Sequence, residues 1–367
     1  MQGFFRARRP ERGLEFYFKF NYDDSTMAIR SQTKEPRRKR LKAVGLLSGG
    51  LDSILAIKIM KDLGVEVHAV YLAMPWGCGD EDAARRAAQK IEVPFKVIQL
   101  EESYLELVRN PEHGYGRAKN PCVDCHIYMI RRAAAYMKEM EGDFVFTGEV
   151  LGQRPMSQLR WSMKKVEVGA GLDGRLLRPL SAQLLKPTLL EEEGRIDRKK
   201  LLGLSGRSRR EQIRLAKELG IREYPNPAGG CLLTEPNFAR RLEDFLSHGY
   251  RDFSETVSLR WGRHFRLSPN VKAILGRDEK ENELLIQHAH PEDTILQLED
   301  NRGPTCVLKG ARPDENELAL AGGLIQRFSR YTDSPPRDIL FWRAGNRNVK
   351  RVRSRQVTEA FFKEISL

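Results

Sequence analysis

The stretch Ser48-Gly49-Gly50-Leu51-Asp52-Ser53 decides the fold, because it stands between an apolar run and a helical run. The apolar run, Ala43-Val44-Gly45-Leu46-Leu47, predicts a strand, and residues 54–63 predict a helix. Two glycines let the backbone approach an anion without a Cβ in the way, and serine hydroxyls and the first helical N–H groups can donate to its oxygens. The stretch lacks the lysine of a Walker A loop. It therefore predicts a phosphate site that is not built to transfer a terminal phosphoryl group.

This stretch resembles the SGGxDS signature of the PP-loop ATP pyrophosphatases. Gly-Gly turns between a strand and a helix occur in many α/β proteins, but the complete set of Ser, Gly, Gly, Asp and Ser favours the nucleotide interpretation. Members of that superfamily hold the triphosphate of ATP while a substrate oxygen attacks the α-phosphorus and pyrophosphate leaves. The resemblance implies that ATP and Mg²⁺ are bound by six residues, with Asp52 also counted as catalytic: Leu47, Ser48, Gly49, Gly50, Asp52 and Ser53.

Downstream of this loop, strand and helix patterns alternate along the chain. Strands are predicted at 65–73, 95–100 and 143–147, and helices at 81–91 and 126–140, with one or two more helices in 201–219, where Ser208 is the expected N-cap of 209–219. This alternation predicts an α/β fold with a doubly wound parallel sheet. Ligands of such sheets bind beyond the carboxyl ends of the strands, which is where the candidate residues lie.

The length and composition predict more than one globular unit. A chain of 367 residues with 40% hydrophobic content can bury two cores. We expect a basic flexible arm, a PP-loop domain, a helical linker and a second, smaller α+β domain, at 1–40, 41–235, 236–257 and 258–367. No apolar run approaches the ~20 residues of a membrane span, and no signal peptide opens the chain. We therefore expect a cytoplasmic protein with no membrane partner.

Five cysteines are too few and too scattered for a disulfide scaffold in a chain of this length. Cys122 and Cys125 form a C-x-x-C at a predicted helix start, where the helix dipole lowers thiol pKa values, and Cys231 follows two glycines. These three are expected to be reactive thiolates or metal ligands. Cys78 and Cys306 are interpreted as structural.

Two other uses of the C-x-x-C are less consistent with the sequence. Zinc requires a fourth ligand, and His126 directly after Cys125 is badly placed to chelate together with it. The string from Cys122 to His126 also matches the C-x-x-C-H of haem attachment, which needs an exported chain.

The segment Thr147-Gly148-Glu149-Val150-Leu151-Gly152-Gln153 resembles the TGExLGQ element of the 4-thiouridine synthetase, a PP-loop enzyme that thiolates RNA. The resemblance implies that Gly148 and Gln153 border the nucleotide. It also implies a tRNA substrate and a sulfur donor, either a cysteine desulfurase or free sulfide. In relatives with three cysteines, the thiols hold a 4Fe-4S cluster with one open iron, so Cys122, Cys125 and Cys231 are the expected catalytic and metal-binding set. A persulfide on Cys231 or Cys122 is the other route.

A nucleic-acid partner is also favoured by the charge. The formal net charge is +13, and basic residues cluster at 30–42, 195–214 and 343–355. The familiar synthetase carries an N-terminal RNA-binding THUMP domain that 40 residues cannot contain. The region from Ser258 onward, with Gly262-Arg263-His264-Phe265, instead resembles the NFACT-R type of RNA-binding module.

Two alternatives remain open from the sequence. One is a PP-loop ligase or amidase that shares the ATP site and does not use sulfur. The other is an RNA-binding protein with a structural metal and a vestigial nucleotide site. The oligomeric state and the choice between C2 and C4 of the uridine are also open.

Overall fold

The computed structural model describes residues 40–76, 79–225, 230–249, 253–310 and 312–367. Residues 1–39 of the predicted arm and Cys78 lie outside these residues. No helix of the described part combines the length and apolar composition needed to cross a bilayer.

The first half of the described chain forms a five-stranded sheet in which every strand pair is parallel. The strand order is β3-β2-β1-β4-β5, which places β1 at the centre. This sheet confirms the predicted fold class. The five strands are β1 (Lys42–Leu46), β2 (Glu66–Ala73), β3 (Phe95–Gln99), β4 (Phe144–Phe146) and β5 (Leu176–Leu177).

Helices cover both faces of this sheet. Neighbouring strand residues point to opposite sides, so each face presents apolar side chains that a helix can cover. In β1, Ala43 packs in one apolar core and Val44 packs in the other. Helices α1, α2 and α7 contribute to the first core, and α3, α4 and α5 to the second. Their bounds are α1 (Leu51–Asp62), α2 (Glu81–Ile91), α3 (Glu102–Arg109), α4 (Cys122–Glu139), α5 (Arg160–Gly169), α6 (Leu189–Glu192) and α7 (Arg210–Glu218).

The helical prediction for 201–219 is correct only for its second half. Residues before α7 run extended because their N–H groups bond to neighbouring segments: Leu202 N–H donates to the Pro179 carbonyl and Leu204 N–H to the Leu180 carbonyl, both at 2.8 Å. The N-cap of α7 is Arg209 and not Ser208.

The second half contains a six-stranded antiparallel sheet packed against helices, in agreement with the predicted smaller α+β domain. Its strand order is β11-β10-β8-β9-β7-β6. Cys306 is fully buried in β9, as the sequence predicted. The elements are α8 (Pro236–Ser247), a 3₁₀ segment (Phe253–Arg260), β6 (Arg263–Ser268), β7 (Val271–Leu275), α9 (Glu279–Gln287), β8 (Thr294–Leu298), β9 (Cys306–Gly310), α10 (Glu315–Arg327), β10 (Asp338–Arg343), β11 (Asn346–Arg353) and α11 (Glu359–Ile365).

Helix α8, in the segment predicted as a linker, contacts both halves. Its Phe238 and Leu242 pack in the second core of the parallel sheet. Its buried Asp244 lies 2.7 Å from Arg266 and 2.8 Å from Lys272 of the antiparallel sheet. Burial lowers the pKa of Lys272 to about 8 even with Asp244 beside it. Asp244 therefore places a negative charge directly beside a buried cation.

Replacing this carboxylate should destabilise the fold strongly. We expect Asp244→Ala to lower the free energy of unfolding by about 3–5 kcal/mol, because it removes the carboxylate paired with the buried Lys272 ammonium and with Arg266. The matched control is Glu243→Ala, which removes an exposed carboxylate 2.9 Å from Lys119 and should cost no more than about 1 kcal/mol. Urea denaturation of the full chain measures both, and equal costs would contradict the role given to Asp244.

Candidate functional site

The loop after β1 has the properties of an anion site. Gly50 is the N-cap of α1, and no side chain caps that end of the helix. The hydroxyls of Ser48 and Ser53 lie 3.2 Å apart, and Ser53 Oγ donates to the Gly50 carbonyl at 2.8 Å. Uncapped N–H groups at a helix N-terminus bind negative charge. The loop can therefore hold a phosphate of the kind the sequence predicts.

The two glycines of the loop have different structural roles. Gly49 has a φ of +81°, and a Cβ there would lie 2.6 Å from the Asp80 carbonyl oxygen, so the fold itself requires glycine. A Cβ on Gly50 would meet no atom closer than Ser48 Oγ at 3.5 Å. The protein thus has room for a side chain at Gly50, and only a ligand close to the backbone would exclude one.

Gly50→Ala should therefore separate ligand binding from folding. We expect the free energy of unfolding to change by less than about 1 kcal/mol. The affinity for ATP should fall at least about tenfold, since the new methyl group occupies the approach to the phosphate. Calorimetric titration with ATP and a thermal melt measure the two effects. Gly49→Ala is the contrasting variant and should lower the melting temperature. Unchanged ATP affinity in Gly50→Ala would place the phosphates elsewhere.

Asp52, in the first turn of α1, offers a cation ligand beside this loop. Its Oδ2 accepts a hydrogen bond from the Gln153 side-chain amide at 2.7 Å and lies 3.5 Å from the Arg209 guanidinium. Its Oδ1 is buried and has no hydrogen-bond partner within the described part of the chain. Carboxylate oxygens are preferred ligands of Mg²⁺, which is usually held by one or two carboxylates together with substrate phosphates. Asp52 fits the magnesium role that the sequence implies.

The TGExLGQ element lies directly against α1. A Cβ on Gly148 would be 2.6 Å from backbone atoms of Asp52 and Ser53, so a larger residue would displace the first turn of the helix. Gln153, at the other end of the element, bonds to Asp52. The structure thus brings both predicted nucleotide-bordering residues, Gly148 and Gln153, to the phosphate loop.

Arg209 is a site residue that sequence reasoning missed, because its basic neighbours suggested a solvated or RNA-contacting run. The start of α7 places its side chain at Asp52, 157 positions away along the chain. Gln212 on the same helix donates to the Gln153 side chain at 3.1 Å. Only the packing of α7 against α1 reveals this contact, and no local sequence signal does.

The structure also places the three cysteines of the prediction near one another. Cys122 and Cys125 occupy the first turn of α4, and Cys231 begins a short 3₁₀ turn. The Lys119 N–H donates to the Leu233 carbonyl at 3.2 Å, which joins the two chain segments. Each of the Cys122 and Cys125 thiols is affected by the charge of Cys231. Thiols from distant parts of the sequence therefore lie near enough to influence one another's pKa.

The three cysteine sulfurs do not all lie within 4.8 Å of one another. A tetrahedral zinc with Zn–S bonds of ~2.3 Å requires sulfurs about 3.8 Å apart. Among the described residues, the set of three metal-ligand atoms lying within 4.8 Å of one another is Glu112, His113 and Asp124, not the cysteines. His113 Nδ1 lies 2.8 Å from Asp124 Oδ1, and this contact holds the turn between the two C-x-x-C thiols.

A chain of buried charges leads from Cys122 to Arg178. Glu149 lies 3.0 Å from both His126 and Arg178. Burial would raise the pKa of Glu149, but Arg178 and His126 outweigh it and lower that pKa to about 2. Burial would lower the pKa of His126, but Cys122 and Glu149 raise it to about 10. Against its own burial, the Cys122 thiol therefore has a pKa lowered by its contacts with charged His126.

The second thiol of the motif has the opposite character. Cys125 is buried, which raises its pKa to about 12, and its sulfur lies 3.2 Å from the Tyr104 hydroxyl. Sequence reasoning weighed His126 only as a metal or haem ligand and gave Glu149 no role. The i, i+4 spacing of Cys122 and His126, which puts both on one helix face, could have indicated the pair.

These observations define a class of protein. A parallel sheet with an uncapped glycine turn after its central strand, and a carboxylate beside that turn, is a nucleotide-binding α/β fold of the PP-loop type. Residues 41–165 match the tRNA methyl transferase HUP domain family, and residues 262–364 match the NFACT protein RNA binding domain family. Together with the relatives below, these matches confirm the resemblance stated from the sequence.

Curated relatives are tRNA-specific 2-thiouridylases named MnmA. That of Lachnoclostridium phytofermentans is 23% identical over 248 residues, 61% of this chain and 65% of the relative. That of Geotalea uraniireducens is 26% identical over 231 residues, 56% and 58% of the two chains. MnmA 2 of Clostridium botulinum strain Hall is 35% identical over 115 residues, which are 28% of this chain and 32% of the relative. The chain thus spans less than two thirds of the length of these three relatives.

Solved structures show weaker likeness. A 4-thiouridine synthetase–RNA complex with bound ATP is 20% identical with a TM-score of 0.34, covering 60% of this chain and 52% of that one. The C-terminal part of a fibronectin/fibrinogen-binding protein from Streptococcus suis is 16% identical with a TM-score of 0.27. The match covers 72% of this chain and 94% of that one. TM-scores this low carry no property from those structures to this chain.

Proposed function

We propose that the protein is an ATP-dependent tRNA sulfurtransferase. One observation carries the proposal: a single segment joins the phosphate loop to the thiols. Gly148 packs on the backbone of Asp52, and the next residue, Glu149, contacts His126 beside Cys122. An activated substrate held at the loop would therefore lie next to a sulfur centre. The relatives named as tRNA thiouridylases and the matched RNA-binding family support tRNA as the substrate.

The first reaction is adenylation. A uridine carbonyl oxygen attacks the α-phosphorus of ATP, the bond to the β-phosphate breaks, the ring N3 proton is lost, and pyrophosphate leaves. The loop N–H groups would hold the phosphates, Asp52 would hold Mg²⁺, and Arg209 would add positive charge where the pyrophosphate leaves. The protein contributes orientation and charge neutralisation.

In the second reaction, hydrosulfide adds to the activated ring carbon. The carbon–oxygen bond breaks, AMP leaves and the proton returns to N3. The two reactions together consume ATP and hydrosulfide and yield thiouridine, AMP and pyrophosphate.

The proposal gives Cys122, Cys125 and Cys231 as the residues that would hold a 4Fe-4S cluster. Such a cluster has one iron without a protein ligand, which supplies a place for a sulfur atom. The chain's own residues orient the ligands: Glu149 and Arg178 hold His126 against Cys122, and Tyr104 contacts Cys125. Anaerobic purification separates this proposal from the persulfide route. A brown protein that absorbs near ~400 nm and carries about four irons supports the cluster, and a colourless protein free of iron overturns it.

The proposal is tested on the purified full chain with ATP and unmodified tRNA. We expect pyrophosphate release that depends on tRNA, and a thionucleoside by mass spectrometry when sulfide is added. The nucleosides of a deletion strain should lack the same thionucleoside, which identifies the uridine and the carbon. Pyrophosphate release without sulfur incorporation would favour a ligase, and binding of tRNA without any pyrophosphate release would favour an RNA-binding protein.

A further inference from the structure

One face of the antiparallel sheet is only partly covered by a helix. Helix α9 and its following loop close the face over a small core that includes Ile295, and Trp342 packs at the edge of that core. Trp342 lies opposite Ile295 in the strand register, and Leu340 lies opposite Gln297. The half-buried Trp342 side chain is therefore on the open part of this face, beyond the end of the helix.

A cavity of ≈ 390 Å³ lies at this place. Its volume falls within the range of about 300–1,000 Å³ that is typical of small-ligand pockets. The sheet contributes Ile295, Gln297 and Trp342, and Ile286, 39% exposed at the end of α9, contributes to the wall. No lining residue carries a carboxylate. The site combines an aromatic ring, apolar walls and a side-chain amide without negative charge.

The rim of this cavity is basic. The Arg347 guanidinium, from β11, lies 5.7 Å from the centre of the Trp342 ring. Arg347 forms no ion pair with a residue of the described ranges. Positive charge without a protein counter-charge, next to an accessible aromatic ring, is typical of sites that hold unpaired nucleotides.

We propose that this cavity binds an unpaired base of RNA, stacked on Trp342, while Arg347 contacts a flanking phosphate. The proposal rests on the proposed function in taking RNA as the partner, but the cavity is separate from the ATP and cysteine site. The lining has no carboxylate and the rim is basic. Both features favour RNA over a protein partner that is basic or that binds acidic residues. The Gln297 amide can hydrogen-bond to the edge of the base.

The test uses the full-length protein with a fluorescein-labelled 12-nucleotide oligouridine and a blunt RNA duplex of equal length. Trp342→Leu, which keeps apolar volume without a flat ring, should weaken single-strand binding about tenfold and duplex binding by less than about twofold. Trp342→Phe should stay within about threefold of the wild type. The matched control is Trp161→Leu, which removes a tryptophan that is 53% exposed on the other half of the chain, and it should change neither affinity.

Equal affinities of Trp342→Leu and Trp161→Leu for the single strand would overturn the proposal, as would an equal loss for single strand and duplex. A wild-type measurement does not depend on the variants' stability: RNA carrying 5-iodouridine should photocrosslink to the peptide containing Trp342, and a crosslink confined to other peptides would contradict the site. If the wild type binds the single strand through Trp342 but releases no pyrophosphate with tRNA, the proposed function fails while this inference stands.

Discussion

Cys122→Ser should abolish thionucleoside formation, with a rate at least about 10³-fold below that of the wild type. The hydroxyl of serine has neither the nucleophilicity nor the metal affinity of a thiolate, and the contact with charged His126 that lowers the thiol pKa has no equivalent for it. Pyrophosphate release with tRNA should continue, because Cys122 takes no part in the attack on the α-phosphorus. The two products are measured in one reaction by nucleoside mass spectrometry and a pyrophosphate assay.

The control for this variant is Cys306→Ala, which removes a thiol buried in β9 of the other sheet. It should form thionucleoside at the wild-type rate below its melting temperature. A Cys122→Ser protein that still thiolates tRNA would remove the cysteine from the mechanism. A wild type that modifies tRNA without sulfur, and a variant that does the same, would point to the ligase alternative.

Asp52→Asn should reduce pyrophosphate release on the order of 10²–10³-fold, since it removes the carboxylate proposed to hold the magnesium that neutralises the leaving pyrophosphate. Thionucleoside formation should fall by the same factor, because adenylation precedes sulfur transfer. The substitution keeps the size of the side chain and its ability to accept from Gln153. Steady-state rates at saturating ATP and tRNA, with a melt of each protein, measure the effect.

Asp62→Asn is the matched control for this prediction. Asp62 ends the same helix, is exposed and pairs with Lys58. This variant should keep the rates of the wild type. Similar losses in Asp52→Asn and Asp62→Asn would mean that a general disturbance of α1, rather than the site, causes the effect. Retained activity in both would place the magnesium ligand elsewhere.

The parallel sheet and its loop could be predicted because their signals are local. The apolar run before Ser48 and the helix after Ser53 are contiguous in sequence, so pattern and spacing suffice. The closeness of Cys231 to Cys122 followed from a resemblance, and the structure shows the backbone contact between Lys119 and Leu233 that produces it.

Other parts of the site depend on contacts between distant segments, which local patterns do not encode. Arg209 reaches Asp52 only because α7 packs on α1, and Glu149 reaches His126 only because β4 lies beside β1 in the sheet. The extended course of 201–206 follows from N–H groups that bond to the segment 151–180. The sequence predicted one or two helices in 201–219, and tertiary hydrogen bonds keep the part before α7 extended.

The position of Asp244 limits how this protein can be dissected. The apolar side of helix α8 packs against the parallel sheet, and its buried carboxylate contacts the antiparallel sheet. In the antiparallel sheet, Lys272 and Lys309 lie opposite each other on adjacent strands. Lys309 pairs with Asp293, which directly precedes β8, whereas Lys272 pairs with Asp244 of α8. A fragment that begins after α8 would lose the carboxylate that pairs with Lys272, and a fragment that ends before the second sheet would lose the Arg266 and Lys272 cations that pair with Asp244. The two halves should therefore be expressed together as one unit.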